Sequence, residues 1–289
     1  DLIWFKNRTG AYPHQIYNSI RGVNKFLNPG VAAGIGSYTG TGAEFDDGGY
    51  DLMSYDSSGF TVGGSAFGSV NEVGFSHVAW CFKGGGAASS NTDGSITSQV
   101  SANQEAGFSV VKYTGNSASS ATIGHGLSSA PEMYIVKSLS TGDWWTYHKG
   151  LNGGTNPANY FIRLNLTNGE SLNTGSPPSI FAGTEPTSTV FSIGSALTSS
   201  NDFIAYCFHS VDGYQKIGSY TGNGTSQSIV TGFAVRFVLI KSSTSTQNWM
   251  LYDSVRGGNK YLIADSAGAE GTAGSNLVTF NSNGFSVAN

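Results

Sequence analysis

Short runs of β-branched and aromatic residues, each broken by Gly, Pro, Asn or Ser, recur along the whole chain. Such runs bounded by turn formers predict strands. Between residues 108 and 209 they read FSVVKYTG (108–115), MYIVK (133–137), DWWTYHK (143–149), YFIRLNL (160–166), STVFSIG (188–194) and FIAYCFH (203–209). Phe108, Val110 and Lys112 alternate imperfectly with Ser109, Val111 and Tyr113, the two-residue period of a strand. No stretch sustains a helical period, and ANQEAGF (102–108) offers at most one turn.

The same order of runs returns further on, as KIGSYTGNG (216–224), VLIKS (238–242), NWMLYDS (248–254), KYLIAD (260–265) and VTFNSNGFSV (278–287). It is entered midway at the start, with LIWFK (2–6), HQIYNS (14–19), KFL (25–27), LMSYDSSGFTV (52–62) and HVAWCFK (77–83). The tightest correspondence is YNSIRGVNKFL from Tyr17 against YDSVRGGNKYL from Tyr252, with seven of eleven positions identical. A looser copy starts at Tyr147. Fixed spacing of this kind signals repeated structural units.

The fold expected is all-β, built from tandem β-sandwich units of jelly-roll or lectin-like type. Residues 1–83 form a first unit without its opening strand, and 84–106 a connector rich in Gly, Ser and Asn. Residues 107–212 form a complete second unit, and 213–289 a third without its closing strand. Either the segment cuts a longer array, or neighbouring subunits lend each other strands. GSYTGTG (36–42) resembles GSYTGNG (218–224), but it falls where no opening strand belongs. Residues 36–50 therefore read as an insertion of about ten residues.

Composition narrows the class. Charged residues make up 11% and aromatics 12%, with 41 glycines in 289 residues. A disordered chain would lack the aromatics, and a helical one would not carry so much Gly, Thr and Asn. A net charge of −4 argues against nucleic acid as a partner. No apolar run approaches the length of a membrane helix, so insertion into a membrane is not expected. Cys81 and Cys207 occupy equivalent places in HVAWCF and FIAYCF, and both read as small buried hydrophobes rather than a disulfide.

The Tyr252 segment is the most specific pattern. Asp253 and Arg256 could hydrogen-bond sugar hydroxyls while Tyr252 or Trp249 stacks beneath a pyranose ring. The competing reading is a turn capped by Arg that leads into strand KYL. Asp253 is replaced by Asn18 in the first copy and by His148 in the second, so no shared catalytic carboxylate is expected. Trp145 aligns with Trp249 as a core residue, which leaves Trp144 on the opposite face as the better exposed platform. The weak ligand-binding set is thus Trp144, Trp249, Tyr252, Asp253, Arg256 and His148.

Elsewhere the signals are thinner. Glu44 to Asp51 gathers four carboxylates in a glycine-rich loop, readable as a calcium loop or as a solvated acidic turn. The five histidines lack metal-ligand spacing. His125 is the one candidate base, with no nucleophile motif beside it. No Asp or Glu recurs usefully across the copies, so a two-carboxylate glycosidase is not expected. No catalytic residue, metal or cofactor is assigned.

Several segments together carry a resemblance: SNTDGSITSQVSAN with AGFSVVKYTGN, APEMYIVK with DWWTYHKGL, YDSVRGGNKYL with FNSNGF, and IAYCFHSVDGYQKIGSYTGNG. The chain resembles a tandem-repeat family of uncharacterised domains found in virion-associated proteins of marine tailed phages. The resemblance covers most of the chain and carries no catalytic set. It implies a non-enzymatic component of the virion exterior, on a tail fibre, an appendage or the capsid surface. Its partners would be other copies of itself, other virion proteins and host-surface glycans. The alternatives are a capsid cement protein without a ligand, and a secreted polysaccharide-binding module or enzyme.

Overall fold

The computed structural model describes residues 1–30, 42–64 and 70–288. The strands come in three successive groups. The first comprises β1 (Leu2–Asn7), β2 (Gln15–Asn18), β3 (Gly22–Leu27), β4 (Phe45–Asp46), β5 (Leu52–Asp56), β6 (Gly59–Val62) and β7 (His77–Phe82). The second comprises β8 (Ser89–Asn91), β9 (Ser98–Asn103), β10 (Phe108–Thr114), β11 (Ser120–Gly124), β12 (Met133–Ser138), β13 (Trp144–His148), β14 (Tyr160–Arg163), β15 (Ser171–Leu172), β16 (Val190–Gly194) and β17 (Asp202–Phe208). The third comprises β18 (Gln227–Val230), β19 (Phe237–Ile240), β20 (Met250–Asp253), β21 (Lys260–Ile263), β22 (Gly271–Thr272), β23 (Val278–Asn281) and β24 (Gly284–Val287). Among the described residues there is no α-helix, only two 3-10 turns at Leu151–Gly154 and Pro157–Asn159.

Each group contributes one main antiparallel sheet, in the orders β4-β3-β2-β1-β7, β15-β14-β13-β12-β17-β10-β9-β8 and β19-β20-β21-β22. The registers coincide. Ile3 faces Tyr17, Tyr134 faces Tyr147 and Val238 faces Tyr252. Beside them Leu2 faces Asn18, Met133 faces His148 and Phe237 faces Asp253. The alignment of Tyr17, Tyr147 and Tyr252 read from sequence is therefore the alignment of the strands.

Why these strands read as unbroken apolar runs follows from where the core lies. One central cluster draws Leu2, Trp4 and Trp80 from the first group, Val110, Ile135 and Trp144 from the second, and Trp249, Leu251 and Leu262 from the third. Three further clusters cover the opposite faces. Phe5, Tyr17 and Phe26 pack with Leu52; Tyr134 and Cys207 with Phe191 and Ile193; Val238 and Tyr252 with Phe285. A strand buried on both faces loses the polar alternation of a half-exposed one, and all six residues of β1 are buried.

Backbone hydrogen bonds tie the groups head to tail. Glu44 N–H donates to the Leu139 carbonyl at 2.8 Å, Glu170 N–H to Ser243 at 2.6 Å, and Glu270 N–H to Arg8 at 2.8 Å. First binds second, second binds third and third binds first, so the head-to-tail contacts close on themselves as a ring does.

Two expectations change in detail. The segment 84–106, read as a connector, contains β8 and β9, which extend the second sheet beyond β10. The insertion read at 36–50 overlaps β4, which pairs with β3 as β15 pairs with β14 and β22 with β21. The extra residues of the first group therefore precede Glu44, and the GSYTG portion lies outside the described residues.

Candidate functional site

The repeated Tyr-to-Leu segment is a turn between two strands, and its geometry accounts for most of its identities. Asp253 Oδ1 accepts the N–H groups of Val255 (3.2 Å) and Arg256 (2.9 Å), and Asn18 Oδ1 accepts that of Arg21 (3.2 Å). Side-chain acceptors of this kind build an Asx-type turn. Gly22 and Gly257 follow at φ 92° and 91°, a left-handed conformation that a Cβ would strain. Each arginine then folds back onto its own strand, Arg21 Nη2 to the Ile16 carbonyl at 2.7 Å and Arg256 Nη2 to that of Leu251 at 3.3 Å. Leu27 and Leu262 enter the central core.

The arginines also meet a carboxylate the sequence reading missed. Arg21 Nη1 lies 3.0 Å from Glu44, with Lys25 at 3.4 Å. Arg256 Nη1 lies 3.0 Å from Glu270, with Lys260 at 3.9 Å, and Arg8 adds a bidentate pair at 2.8 and 3.0 Å. Glu170 holds the same place in the second sheet, where Leu151 stands at the arginine's position, and accepts the Asn152 N–H at 2.8 Å. A carboxylate does hold the same place in all three strand groups, against the expectation. The signal was the spacing from Asn159 to Glu170 and from Asn259 to Glu270, which the extra residues before Glu44 break in the first copy.

Asp253 and its counterparts sit where one group meets the next. Trp80 Nε1 donates to Asp253 Oδ2 at 3.3 Å, and Arg256 Nε reaches the same oxygen at 2.5 Å. The Arg256 guanidinium lies 5.6 Å from the Trp80 ring centre. The equivalent contact between first and second groups is Asn18 Nδ2 donating to the Tyr206 hydroxyl at 3.0 Å.

The tryptophans reverse the expected faces. Trp144, predicted to be the exposed platform, is 1% exposed and belongs to the central core. It faces Lys137, so its equivalent is Trp249, three residues before Tyr252 as Trp144 is three before Tyr147. The strand alternation was read correctly, but it was anchored on the wrong indole. Trp249 is also buried and donates its Nε1 proton to the Arg163 carbonyl at 2.8 Å. Trp145 is the half-buried ring. It packs edge-on against Phe161 at 4.9 Å, with the Arg163 guanidinium 5.8 Å from its centre. Beside it lies a groove of about 420 Å³ bordered by Ser138, Asp143, Trp145, Leu197, Asn201 and Phe203.

Tyr252 is buried against Val238 and Phe285, and burial pushes its hydroxyl up to about 12. His148 accepts the Gly150 N–H at Nδ1 at 2.9 Å, and its ring approaches the Gly218 backbone, with burial lowering its pKa. The six nominated ligand residues are thus drawn into packing and internal bonds.

A family model described as "Domain of unknown function (DUF7483)" matches residues 1–289. The chain belongs to that family. No curated protein and no solved structure matches it.

Two further polar features of this DUF7483 domain, His125 and the acidic loop, are engaged likewise. His125 accepts the Leu127 N–H at Nδ1 (3.1 Å), which leaves Nε2 to donate to the Thr187 carbonyl at 3.2 Å. Burial lowers its pKa, and neither nitrogen faces a nucleophile. In the acidic loop, Tyr17 donates to Asp47 at 2.6 Å and Gln15 to Asp51 at 3.0 Å, and both carboxylates are buried. The loop is therefore solvated only in part, with Asp46, Gly48 and Tyr50 exposed. No group of three or more His, Cys, Asp or Glu able to hold a metal ion occurs among the described residues. Both cysteines are free; Cys207 is buried as expected, whereas Cys81 is exposed. β17 is flanked by β12 and β10, while β7 is the last strand of its sheet.

Proposed function

We propose that this DUF7483 domain is a non-catalytic structural component of a phage virion exterior, working through contacts with copies of itself and with other virion proteins. Its three strand groups are read as three copies of one sandwich-like unit closed into a ring. The observation that carries the non-catalytic reading is the fate of the polar side chains. Asp253, Arg256, Glu270 and Asn18 spend their hydrogen bonds on turns and on neighbouring groups, which rigidifies a scaffold and leaves no convergent reactive set among these described residues. The virion assignment rests on the ordered motif string of the sequence.

Host-glycan attachment is the second reading, and it moves from Trp144 to the groove beside Trp145. A half-buried indole edged by Asp143 and Asn201 has the planar face and polar forks that sugar recognition uses. Immunogold labelling of purified particles tests the location: label on the particle surface is expected, and its absence from particles would remove the virion assignment. A glycan array run with the wild type and Trp145→Ala tests attachment. Binding lost in the variant supports the groove, and binding unaffected by it eliminates the groove. Release of reducing sugar from host polysaccharide would overturn the non-catalytic reading.

A further inference from the structure

Among the described residues the third sheet has one strand fewer beside β19 than the other two have beside β1 and β12. In the first sheet β1 is flanked by β2 and β7, and in the second β12 is flanked by β13 and β17. β19, which holds their place, pairs with β20 alone among the described residues. The burial follows. β1 is buried at every position and β12 at its four central ones, whereas β19 is buried only at Val238.

The open edge has defined chemistry. Ser254 N–H donates to the Arg236 carbonyl at 3.0 Å, which makes those residues a hydrogen-bonded pair. Alternation along an antiparallel ladder then turns Val238 and Ile240 toward β20, and the N–H and C=O of Phe237 and Leu239 toward the empty side. Native sheets blunt such edges with Pro, charge or a bulge. Phe-Val-Leu-Ile carries none of these.

The two filled positions specify the occupant. β7 reads HVAWCF and β17 reads FIAYCF from Phe203, sharing Ala, Cys and Phe. Against β1 and β12 they put Phe opposite Leu2 and Met133, Cys opposite Ile3 and Tyr134, and an aromatic opposite Trp4 and Ile135. Those aromatics, Trp80 and Tyr206, reach across to Asp253 and Asn18. The third member of that set is His148, whose ring approaches the Gly218 backbone instead. Gly218 lies in KIGSYTG (216–222), which shares Tyr-Thr-Gly with β10 yet forms no strand. Tyr113 of β10 is 2% exposed, whereas Tyr220 is 38% exposed.

We propose that the edge of β19 is a strand-acceptor site for an extended polypeptide segment of pattern Φ-Ala-aromatic-Cys-Phe, where Φ is apolar, with its aromatic seated on His148. The segment adds as a fifth strand by β-augmentation, with main-chain bonds to Phe237 and Leu239. It displaces Gly218 from His148 and offers its far edge to 216–222. The slot's chemistry is the same whether or not the protein sits on a virion.

The test uses the full chain and a synthetic peptide of residues 202–209 (DFIAYCFH) with lysine tails, kept reduced, beside a scrambled control. Saturable binding of one peptide per chain is expected, with amide exchange at Phe237 and Leu239 slowed about tenfold or more. The His148→Ala chain, intact along β19, is expected to bind the peptide about tenfold more weakly, or about 1.4 kcal/mol. No protection with peptide in excess, or equal protection by the scrambled control, would overturn the proposal. So would full affinity in His148→Ala. Protection of the edge without peptide that grows with protein concentration assigns it to a second copy and also overturns it.

Discussion

Arg8 and Glu270 stand 262 positions apart in the chain and share three hydrogen bonds. The Glu270 N–H donates to the Arg8 carbonyl at 2.8 Å, and the Arg8 guanidinium returns two bonds to the Glu270 carboxylate at 2.8 and 3.0 Å. Arg256 holds the same carboxylate from within its own group, so Glu270 joins the two ends of the chain.

Removing that charge leaves the Arg256 guanidinium, whose side chain is 3% exposed, with less compensation. Glu270→Gln is expected to lower unfolding free energy by about 3 kcal/mol. Glu44→Gln should cost less, because Lys25 and Glu44 are more exposed. Glu170→Gln should cost least, since its acceptor role is met by one backbone N–H. Urea unfolding of the three variants gives the order; equal costs would mean that the arginines play no part.

The buried indoles predict opposite outcomes for neighbouring residues. Trp144→Ala should cost roughly 3–5 kcal/mol, as large-to-small changes in a core do. Trp144→Phe should cost much less than its lost volume suggests, because the indole N–H of Trp144 has no acceptor and the variant removes that penalty. Trp145→Ala should be milder than Trp144→Ala. Thermal melts of the three suffice, and a Trp145→Ala chain less stable than Trp144→Ala would reverse the assigned faces.

Acid should destabilise the fold well before its carboxylates are protonated. Trp4 donates to His14 Nδ1 at 2.8 Å, so Nε2 carries the proton and donates to the Ile263 carbonyl at 2.9 Å. Burial first, and the Lys6 charge second, lower the His14 pKa from 6.5 to about 3. Between those values the unfolded chain binds the extra proton, so stability falls with pH by about 1.4 kcal/mol per unit. Burial moves His125 and His148 in the same direction. His14→Gln retains a donor and an acceptor and should flatten the slope of unfolding free energy between pH 6 and 4; an unchanged slope would exclude His14 as the source.

Mild alkali should do the reverse. Burial lowers Lys6 and Lys137 from 10.5 to about 8. Above that pH the folded chain sheds protons the unfolded chain keeps, so stability rises. It turns down above about 10, where unfolded tyrosines ionise while burial holds Tyr134 and Tyr206 protonated in the fold. A maximum near pH 9–10 in denaturant titrations is expected, weakened in Lys137→Met. A steady decline from pH 7 upward would contradict it.

The thiols offer a simple check. Cys81 is exposed and Cys207 is buried, so a thiol reagent should titrate one group in the native protein and a second only in denaturant. Two native thiols, or none, would contradict the burial of these strands.

Much of the sheet was legible because β strands written in the same residues align in the same register. Tyr17, Tyr147 and Tyr252 could be matched by spacing alone, and the Asx turn with its capping arginine was one of the two readings of that segment. The carboxylate partner was not legible. Glu44, Glu170 and Glu270 each immediately precede a strand of only two residues, too short to leave a pattern. Trp144 and Trp145 were exchanged because alternation fixes that neighbours face opposite ways without saying which face meets the core. That choice depended on a central cluster assembled from residues hundreds of positions apart, such as Trp4, Trp144 and Trp249.

The chain by itself determined the all-β class, the strand candidates and the turn of the Tyr252 segment, because propensity, turn chemistry and two-residue alternation act over a few neighbouring residues. Only the tertiary structure decided that the three sheets share one core, that Glu270 meets Arg8, and that β19 pairs on one side alone among the described residues. Those depend on which surfaces meet after folding. Buried charges and edge hydrogen bonds gain or lose their partners only at that step.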